Sequence, residues 1–316
     1  MDRAPSASEI ERCAALLRAG EIVAFPTETV YGLGANALDR AAIERVYTLK
    51  ARPRTSPLIV HVTDEAAARD LASVWPDAAA LLAARFWPGP LTLIVPKSPR
   101  VPDVVTAGLA TVGLRVPSHP VAQALLERAG VPVAAPSANP FTQLSATRAE
   151  HVRAAFGERV ETILDAGATE VGIESTVVSC VGAVPRLLRH GAIPLSAIRA
   201  VLPEITVLEA TELASGAHES PGQHRRHYSP RTPLIVVARG GELPSGVGAW
   251  VHRSGGRGVN RVVDVAMPGG AVEYAAALYA TLHDLDARGL EWIAVERAPA
   301  GEAWAAVRDR LERAGG

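Results

Sequence analysis

Two periodicities alternate along this chain. From Ile10 to Leu17 apolar residues recur every three or four positions, as on one face of a helix; Ser8-x-x-Glu11 supplies a capping box and Gly20 a stop. Runs rich in β-branched residues at Glu21–Phe25, Leu58–Val62, Leu91–Val95, Val112–Val116 and Val131–Ala135 predict strands. Between them, Asp39 caps a helix whose Ile43, Val46 and Tyr47 share a face. Further helices are predicted over Asp64–Leu71, Asp77–Phe86 and Pro120–Ala129. Gly32 and Gly34 predict a sharp turn or a close approach to a ligand. Thr147-x-x-Glu150 is a second capping box, opening a helix to about Phe156. Short strands follow at Ile163–Leu164, Thr176–Val178 and Arg186–Leu188, with Gly182 at a turn.

The pattern breaks after Glu209. Residues 210–232 hold little apolar material and include Ser220-Pro221-Gly222 and His224-Arg225-Arg226-His227, the composition of a linker. It restarts as strand (Leu234–Ala238), strand (Gly248–His252), helix (Val272–Ala287), strand (Glu291–Glu296) and helix (Ala303–Ala314). Such alternation indicates a small α/β unit. The expected organisation is a larger α/β domain over 1–209, a linker over 210–232 and a small α/β domain over 233–316.

With 48% apolar but only 4% aromatic residues, the core should be packed from small aliphatic side chains. A net charge of −1 argues against a protein whose main task is coating nucleic acid. Cys13 and Cys180 fall in no C-x-x-C pattern, so neither a disulfide framework nor a zinc site is read from them. No apolar run approaches a membrane span and the first residues lack a signal-like apolar stretch, so a cytoplasmic protein is expected.

Candidate chemistry begins with the scarcity of lysine. Among 32 Lys plus Arg, only Lys50 and Lys97 are lysines, and Lys50 stands with Arg52 and Arg54 beside the hydroxyl-rich loop Pro26-Thr27-Glu28-Thr29. That grouping suits an anion, most simply phosphate; a basic helix end complementing the macrodipole is the plainer explanation. Polar residues also gather where predicted strands empty into loops: Thr29, Lys50, Arg52, Ser56, His61, Arg115, Ser137, Asn139, Ser145, Ser175 and Arg189. Ligands of α/β domains favour such strand ends. Each residue also has an ordinary role open to it: His61 as a buried core histidine, Arg115 as a solvent-facing strand residue, Ser137 and Asn139 as turn formers. No spacing matches a Walker A loop, a Rossmann glycine fingerprint or G-x-S-x-G. From the residues alone the chain is an anion-binding α/β enzyme.

The ordered motifs PTETVYGLG, K-A-R-P-x-x-x-P-L-I-V-H, WPGPLTLI, GLRVP, PSAN, GIESTVV and SPG…RHYSP resemble the two-domain threonylcarbamoyl-AMP synthases over about residues 8–232. The resemblance implies an α/β fold made of a large twisted-sheet YrdC-like domain, a linker and a small Rossmann-like C-terminal domain. It implies synthesis of L-threonylcarbamoyl-AMP from L-threonine, bicarbonate and ATP with release of pyrophosphate. The product feeds tRNA threonylcarbamoyladenosine modification through a tRNA threonylcarbamoyl transferase machinery. Carried over by motif, Thr29, His61, Arg115, Ala135 and Ser175 would surround threonine. Lys50, Arg52, Ser56, Thr111, Ser137, Asn139, Ser145, Arg189 and Tyr228 would surround ATP, with Lys50 and Arg52 meeting the phosphates as the catalytic cations. Tyr228 implies that the linker folds back as a lid, and removal of the last domain should leave a folded first domain. Mg²⁺ is expected with the triphosphate, without a dedicated protein cage. No membrane and no stable nucleic-acid partner is expected.

Three departures stand out: Ser56 where asparagine is usual, Thr142 where glycine is usual, and Gln223-His224-Arg225 in the linker. Two other readings remain beside this one. A noncatalytic RNA-binding module would show salt-sensitive RNA affinity without turnover. Carbamoyl transfer in hydrogenase maturation would bring paired-cysteine zinc motifs, which this sequence lacks.

Overall fold

Two S-x-x-E registers overlap near the start of the chain, and the earlier one is used. Ser6, not Ser8, caps α1 (Ala7–Arg18): its Oγ accepts from the Glu9 N–H at 3.3 Å, and the Ser6 N–H donates back to Glu9 Oε2 at 2.7 Å. Ile10, Cys13, Ala14 and Leu17 form its buried face. The computed structural model describes residues 4–208 and 227–315. Residues 210–226 of the expected linker, with the Ser220-Pro221-Gly222 turn and Gln223-His224-Arg225, lie outside the described residues.

The first domain is built on a nine-stranded mixed sheet in the order β1-β2-β6-β3-β5-β4-β7-β8-β9. Its strands are β1 (Val23–Pro26), β2 (Tyr31–Asn36), β3 (Ile59–His61), β4 (Leu91–Pro96), β5 (Thr111–Arg115), β6 (Val133–Ala134), β7 (Thr176–Ser179), β8 (Arg186–Arg189) and β9 (Thr206–Val207). One face packs on α1 and α6 (Pro120–Ala129) through Leu17, Phe25, Leu125 and Leu126. The other buries Leu33, Val60, Leu93 and Leu114 against α2 (Arg40–Lys50), with α3 (Glu65–Arg69), α4 (Asp77–Phe86), α5 (Asp103–Thr106) and α8 (Leu195–Arg199) around it. Asp39 caps α2 as expected, accepting from the N–H groups of Ala41 and Ala42.

Two local expectations are corrected. Gly32 and Gly34 do not form the turn; they lie inside β2, which pairs with β1 as an antiparallel hairpin, and Gly32 lines the pocket at the strand ends. A Cβ on Gly34 would stand 2.7 Å from Phe25 Cε1, so the residue is small because a ring packs flat on the strand. Thr147 does not cap α7 (Ala149–Phe156). Arg148 is its N-cap with no side-chain bond, while the Thr147 N–H donates to His151 Nδ1 at 3.2 Å.

The second domain is a four-stranded parallel sheet, β10 (Leu234–Val237), β11 (Gly248–His252), β12 (Val262–Ala266) and β13 (Trp292–Glu296), in the order β10-β13-β11-β12. Helices α9 (Ala271–Asp286) and α10 (Ala305–Gly315) complete it. Strand β12 escapes the sequence reading because it is an edge strand, half-buried along one side and carrying the exposed Asp264. The two domains share one apolar cluster, in which Val30, Leu144, Ile173 and Tyr228 pack with Tyr274, Ala275, Leu278 and Tyr279. Among the described residues no helix is long and apolar enough to cross a membrane.

Candidate active site

Strands β3 and β5 run parallel and end on the same rung, with His61 opposite Arg115. The β1–β2 loop brings Thr27 and Thr29 to that end, the segment after β6 brings Ala135, Pro136 and Ser137, and the start of β7 brings Glu174 and Ser175. With Arg52, Arg189, His227 and Tyr228 they line one concave pocket.

The guanidinium of Arg115 lies at the base of this pocket. It is 4% exposed, and its Nη1 donates to Thr29 Oγ1 at 2.9 Å. Its Nη2 is 2.8 Å from Glu28 Oε1, yet off the hydrogen-bonding line, so Nε and Nη2 have no aligned acceptor. Burial works to raise the Glu28 carboxyl, but the Arg115 charge and backbone donors outweigh it and hold the group below its ordinary value. Across the pocket, Arg52 gives Nε to Ser56 O at 3.1 Å and Nη2 to Pro57 O at 3.0 Å, and burial draws it down to about 10. It therefore stays a cation at neutral pH. Arg189 donates Nε to Ser175 O and Nη2 to Ser175 Oγ, and Ser175 Oγ also lies 2.8 Å from Thr92 Oγ1.

His61 is neutral here. Burial first, and then the Arg115 cation, press it down to about 3. An unfolded histidine titrates near 6.5, so protons bind the unfolded chain first as pH falls. The stability tied to neutral His61 is therefore complete above about pH 6.5 and is lost as pH falls toward 3. His61→Gln should flatten the dependence of unfolding free energy on pH by about 1.4 kcal/mol per pH unit between about pH 6 and 4. Urea unfolding across that range measures it; equal slopes in the two proteins would count against a neutral His61.

Of the residues expected around threonine, Thr29, His61, Arg115, Ala135 and Ser175 all line this pocket. Of those expected around ATP, Arg52, Ser137, Arg189 and Tyr228 do, and five others do not. Lys50 is 1% exposed and its ammonium donates to Ser137 O and Asn139 O, so it stands behind the loop that forms the wall. Burial, with Arg52 adding repulsion, pushes it well below its ordinary pKa. Lys50, expected as a catalytic cation, is thus buried against this loop and does not line the pocket. Ser56 is buried, its carbonyl accepting from Tyr47 Oη and Arg52 Nε while its Oγ has no partner. Asn139 closes its own turn by donating Nδ2 to Pro140 O and Gln143 O. Ser145 donates its hydroxyl to Glu174 Oε1. Thr111 begins β5 and Arg115 ends it, which at the usual strand rise separates them by about 13 Å.

Sequence reasoning missed Glu174, Thr27 and His227 as lining residues. Glu174 had a signal, its place beside Ser175 in GIESTVV, but its partners Tyr279 and Arg310 lie 105 and 136 positions away.

Comparison with known proteins supplies the family. Residues 15–191 match a family model described as telomere recombination, and residues 193–316 match one described as the threonylcarbamoyl-AMP synthase C-terminal domain. The threonylcarbamoyl-AMP synthase of Bacillus subtilis (strain 168) is 40% identical over 323 residues, 98% of this chain and 93% of that protein. The Pyrococcus abyssi (strain GE5 / Orsay) protein of the same name is 46% identical over 230 residues, 72% of this chain and 68% of its own length. A crystal structure of P. abyssi Sua5 complexed with L-threonine superposes with a TM-score of 0.90 at 38% identity, covering 99% of this chain and 96% of that one. Two adjoining family models and relatives matched through both domains lead to one conclusion: the chain belongs to the two-domain threonylcarbamoyl-AMP synthases.

Proposed function

We propose that this pocket makes L-threonylcarbamoyl-AMP from L-threonine, bicarbonate and ATP in the cytoplasm, and that the product passes to a tRNA threonylcarbamoyl transferase machinery. The observation that carries the reading is Arg115, a buried guanidinium with two unaligned donors beside the hydroxyls of Thr29 and Ser175. A planar fork of this kind fits the carboxylate of an amino acid, and the flanking hydroxyls fit a hydroxylated side chain. The L-threonine complex of P. abyssi Sua5 supports the same ligand.

In this reading the threonine amine adds to bicarbonate and, with loss of water, becomes a carbamate. A carbamate oxygen then attacks the α-phosphorus, the bond to the β-phosphate oxygen breaks, and pyrophosphate leaves with that electron pair. Thr29, His61, Arg115, Ala135 and Ser175 hold threonine; Arg52, Ser137, Arg189 and Tyr228 hold ATP. Arg52 meets the charge that develops on the phosphates, and Lys50 acts as a positioning residue through the Ser137–Asn139 carbonyls it ties. Neutral His61 leaves the Arg115 cation undiluted for the carboxylate and adds no charge to attract solvent. Residues 1–209 form the catalytic domain, His227 and Tyr228 complete its pocket, and 233–316 form the domain that supports it.

Mg²⁺ enters this reading on the nucleotide. Among the described residues no three His, Cys, Asp or Glu side chains cluster, and both oxygens of Glu174 are already hydrogen-bonded. The ion would rest on phosphate oxygens and water, where it would neutralise the departing pyrophosphate. The test is pyrophosphate release from ATP with threonine and bicarbonate omitted in turn. Release should require both; an undiminished rate without threonine would overturn the assignment. Arg52→Ala should lower the complete reaction about a hundredfold, the usual loss of one charge-assisted contact to a transition state. Near-normal turnover would remove Arg52 from the phosphate site.

A further inference from the structure

Glu174 lines the pocket, yet none of its side-chain partners does. Its Oε1 accepts from Ser145 Oγ, and its Oε2 accepts from Arg310 Nε at 2.7 Å and Tyr279 Oη at 3.1 Å. Arg310 comes from α10 and Tyr279 from α9, both in the second domain. The side chain of Arg310 is 0% exposed. Its Nη1 donates to His190 O at 3.0 Å and to Asp309 Oδ2 at 2.6 Å, and its Nη2 reaches Glu174 O at 3.4 Å. The same guanidinium lies 5.1 Å from the centre of the Tyr228 ring, and the Arg313 carbonyl one turn away accepts from the His227 N–H at 3.1 Å. Helix α10 thus holds three lining residues of the first-domain pocket: Glu174, His227 and Tyr228.

The contact between the domains is intimate at this point. Gly172 has a φ of +74°, and a Cβ there would stand 2.5 Å from Ala276 Cα, so the loop carrying Glu174 rests on the backbone of α9. Charge makes the arrangement matter for a ligand. Arg52, Arg115 and Arg189 favour an anion in the pocket, while Glu174 opposes one. Without Arg310, a buried carboxylate would stand uncompensated on the wall of a site that receives a triphosphate.

We propose that Arg310, assisted by Tyr279, is a charge-neutralising residue for the nucleotide: it cancels the charge of Glu174, so that the second domain sets the pocket's affinity for ATP. This rests on the reading above that the pocket takes ATP and threonine. A joint that merely held two domains together would weaken both ligands alike. Arg310 acts mainly on ATP, because a triphosphate carries far more negative charge than zwitterionic threonine, whose carboxylate Arg115 meets.

The experiment uses the full chain and measures binding of Mg²⁺–ATP and of threonine separately by calorimetry, in R310M, E174Q and R310M/E174Q. R310M should weaken ATP binding by at least about tenfold while threonine changes less than about threefold. The double variant has neither charge and should return ATP binding to within about threefold of the parent. Equal weakening of both ligands in R310M, or a double variant that binds ATP no better than R310M, overturns the proposal. If R310M does not fold, the double variant decides. A folded double variant with near-parental ATP affinity supports neutralisation, and one that is unfolded or tenfold weaker refutes it. Turnover is scored apart from binding: a parent protein that binds ATP but shows no threonine-dependent pyrophosphate release refutes the proposed reaction and leaves the affinity comparison intact.

Discussion

Arg115→Ala should remove threonine binding and destabilise the fold together. The guanidinium and Glu28 are both buried, with side chains 5% exposed on each side. Deleting one member of a buried ion pair leaves the other charge without compensation, at a typical cost of about 3–5 kcal/mol. Nothing else replaces the fork that faces the ligand, so threonine affinity should fall by about a hundredfold or more. The two effects can be separated. Arg115→Ala combined with Glu28→Gln removes the stranded carboxylate and should recover much of the lost stability while threonine binding stays absent. Thermal unfolding and threonine titration of the single and double variants measure both quantities. A single variant that still binds threonine within tenfold of the parent would show that another group holds the carboxylate.

Truncation after Glu209 should leave a first domain that associates or unfolds and loses pyrophosphate release by at least about a hundredfold. From the sequence, truncation is expected to leave a folded first domain that binds threonine but, without the lid carrying Tyr228, makes little product. The shared apolar cluster changes that expectation. Val30, Leu144 and Ile173 are buried in one cluster with Tyr274, Ala275 and Leu278 of the second domain. Each apolar side chain returned to water forfeits about 1.5–3 kcal/mol, and together they make a contiguous sticky face. The pocket also loses Tyr228 and His227 from its lining, and Glu174 loses Arg310 and Tyr279. Size-exclusion chromatography and pyrophosphate release, compared with the full chain, read both outcomes. A monodisperse truncated domain with full turnover would reduce the second domain to a passenger.

Some elements of this protein were decided locally. Helices α4 and α6 and strand β11 have the bounds read from the sequence, because a proline at or before the first turn, a glycine after the last and a regular apolar period act over a few residues. The basic and hydroxyl groups of the site were legible for a similar reason, since strand ends mark where ligands sit in α/β folds. Other features depended on distant partners. Gly34 is a strand residue because the Phe25 ring covers it. Which polar residues face inward was likewise decided by the sheet. Placing β3 beside β5 puts His61 and Arg115 on one rung, while strand rise carries Thr111 to the far end. Lys50 and Asn139 carry the right chemistry, yet packing turns them to the loop that forms the wall. The sequence alone determined the two-domain plan, the family and most element types, though it missed β12 and gave Ile163–Leu164, which makes only an isolated bridge to Ala24, as a strand. Only the tertiary structure decided which charges meet, because Glu174 and Arg310 lie 136 positions apart and their pairing follows from how two separately patterned domains dock.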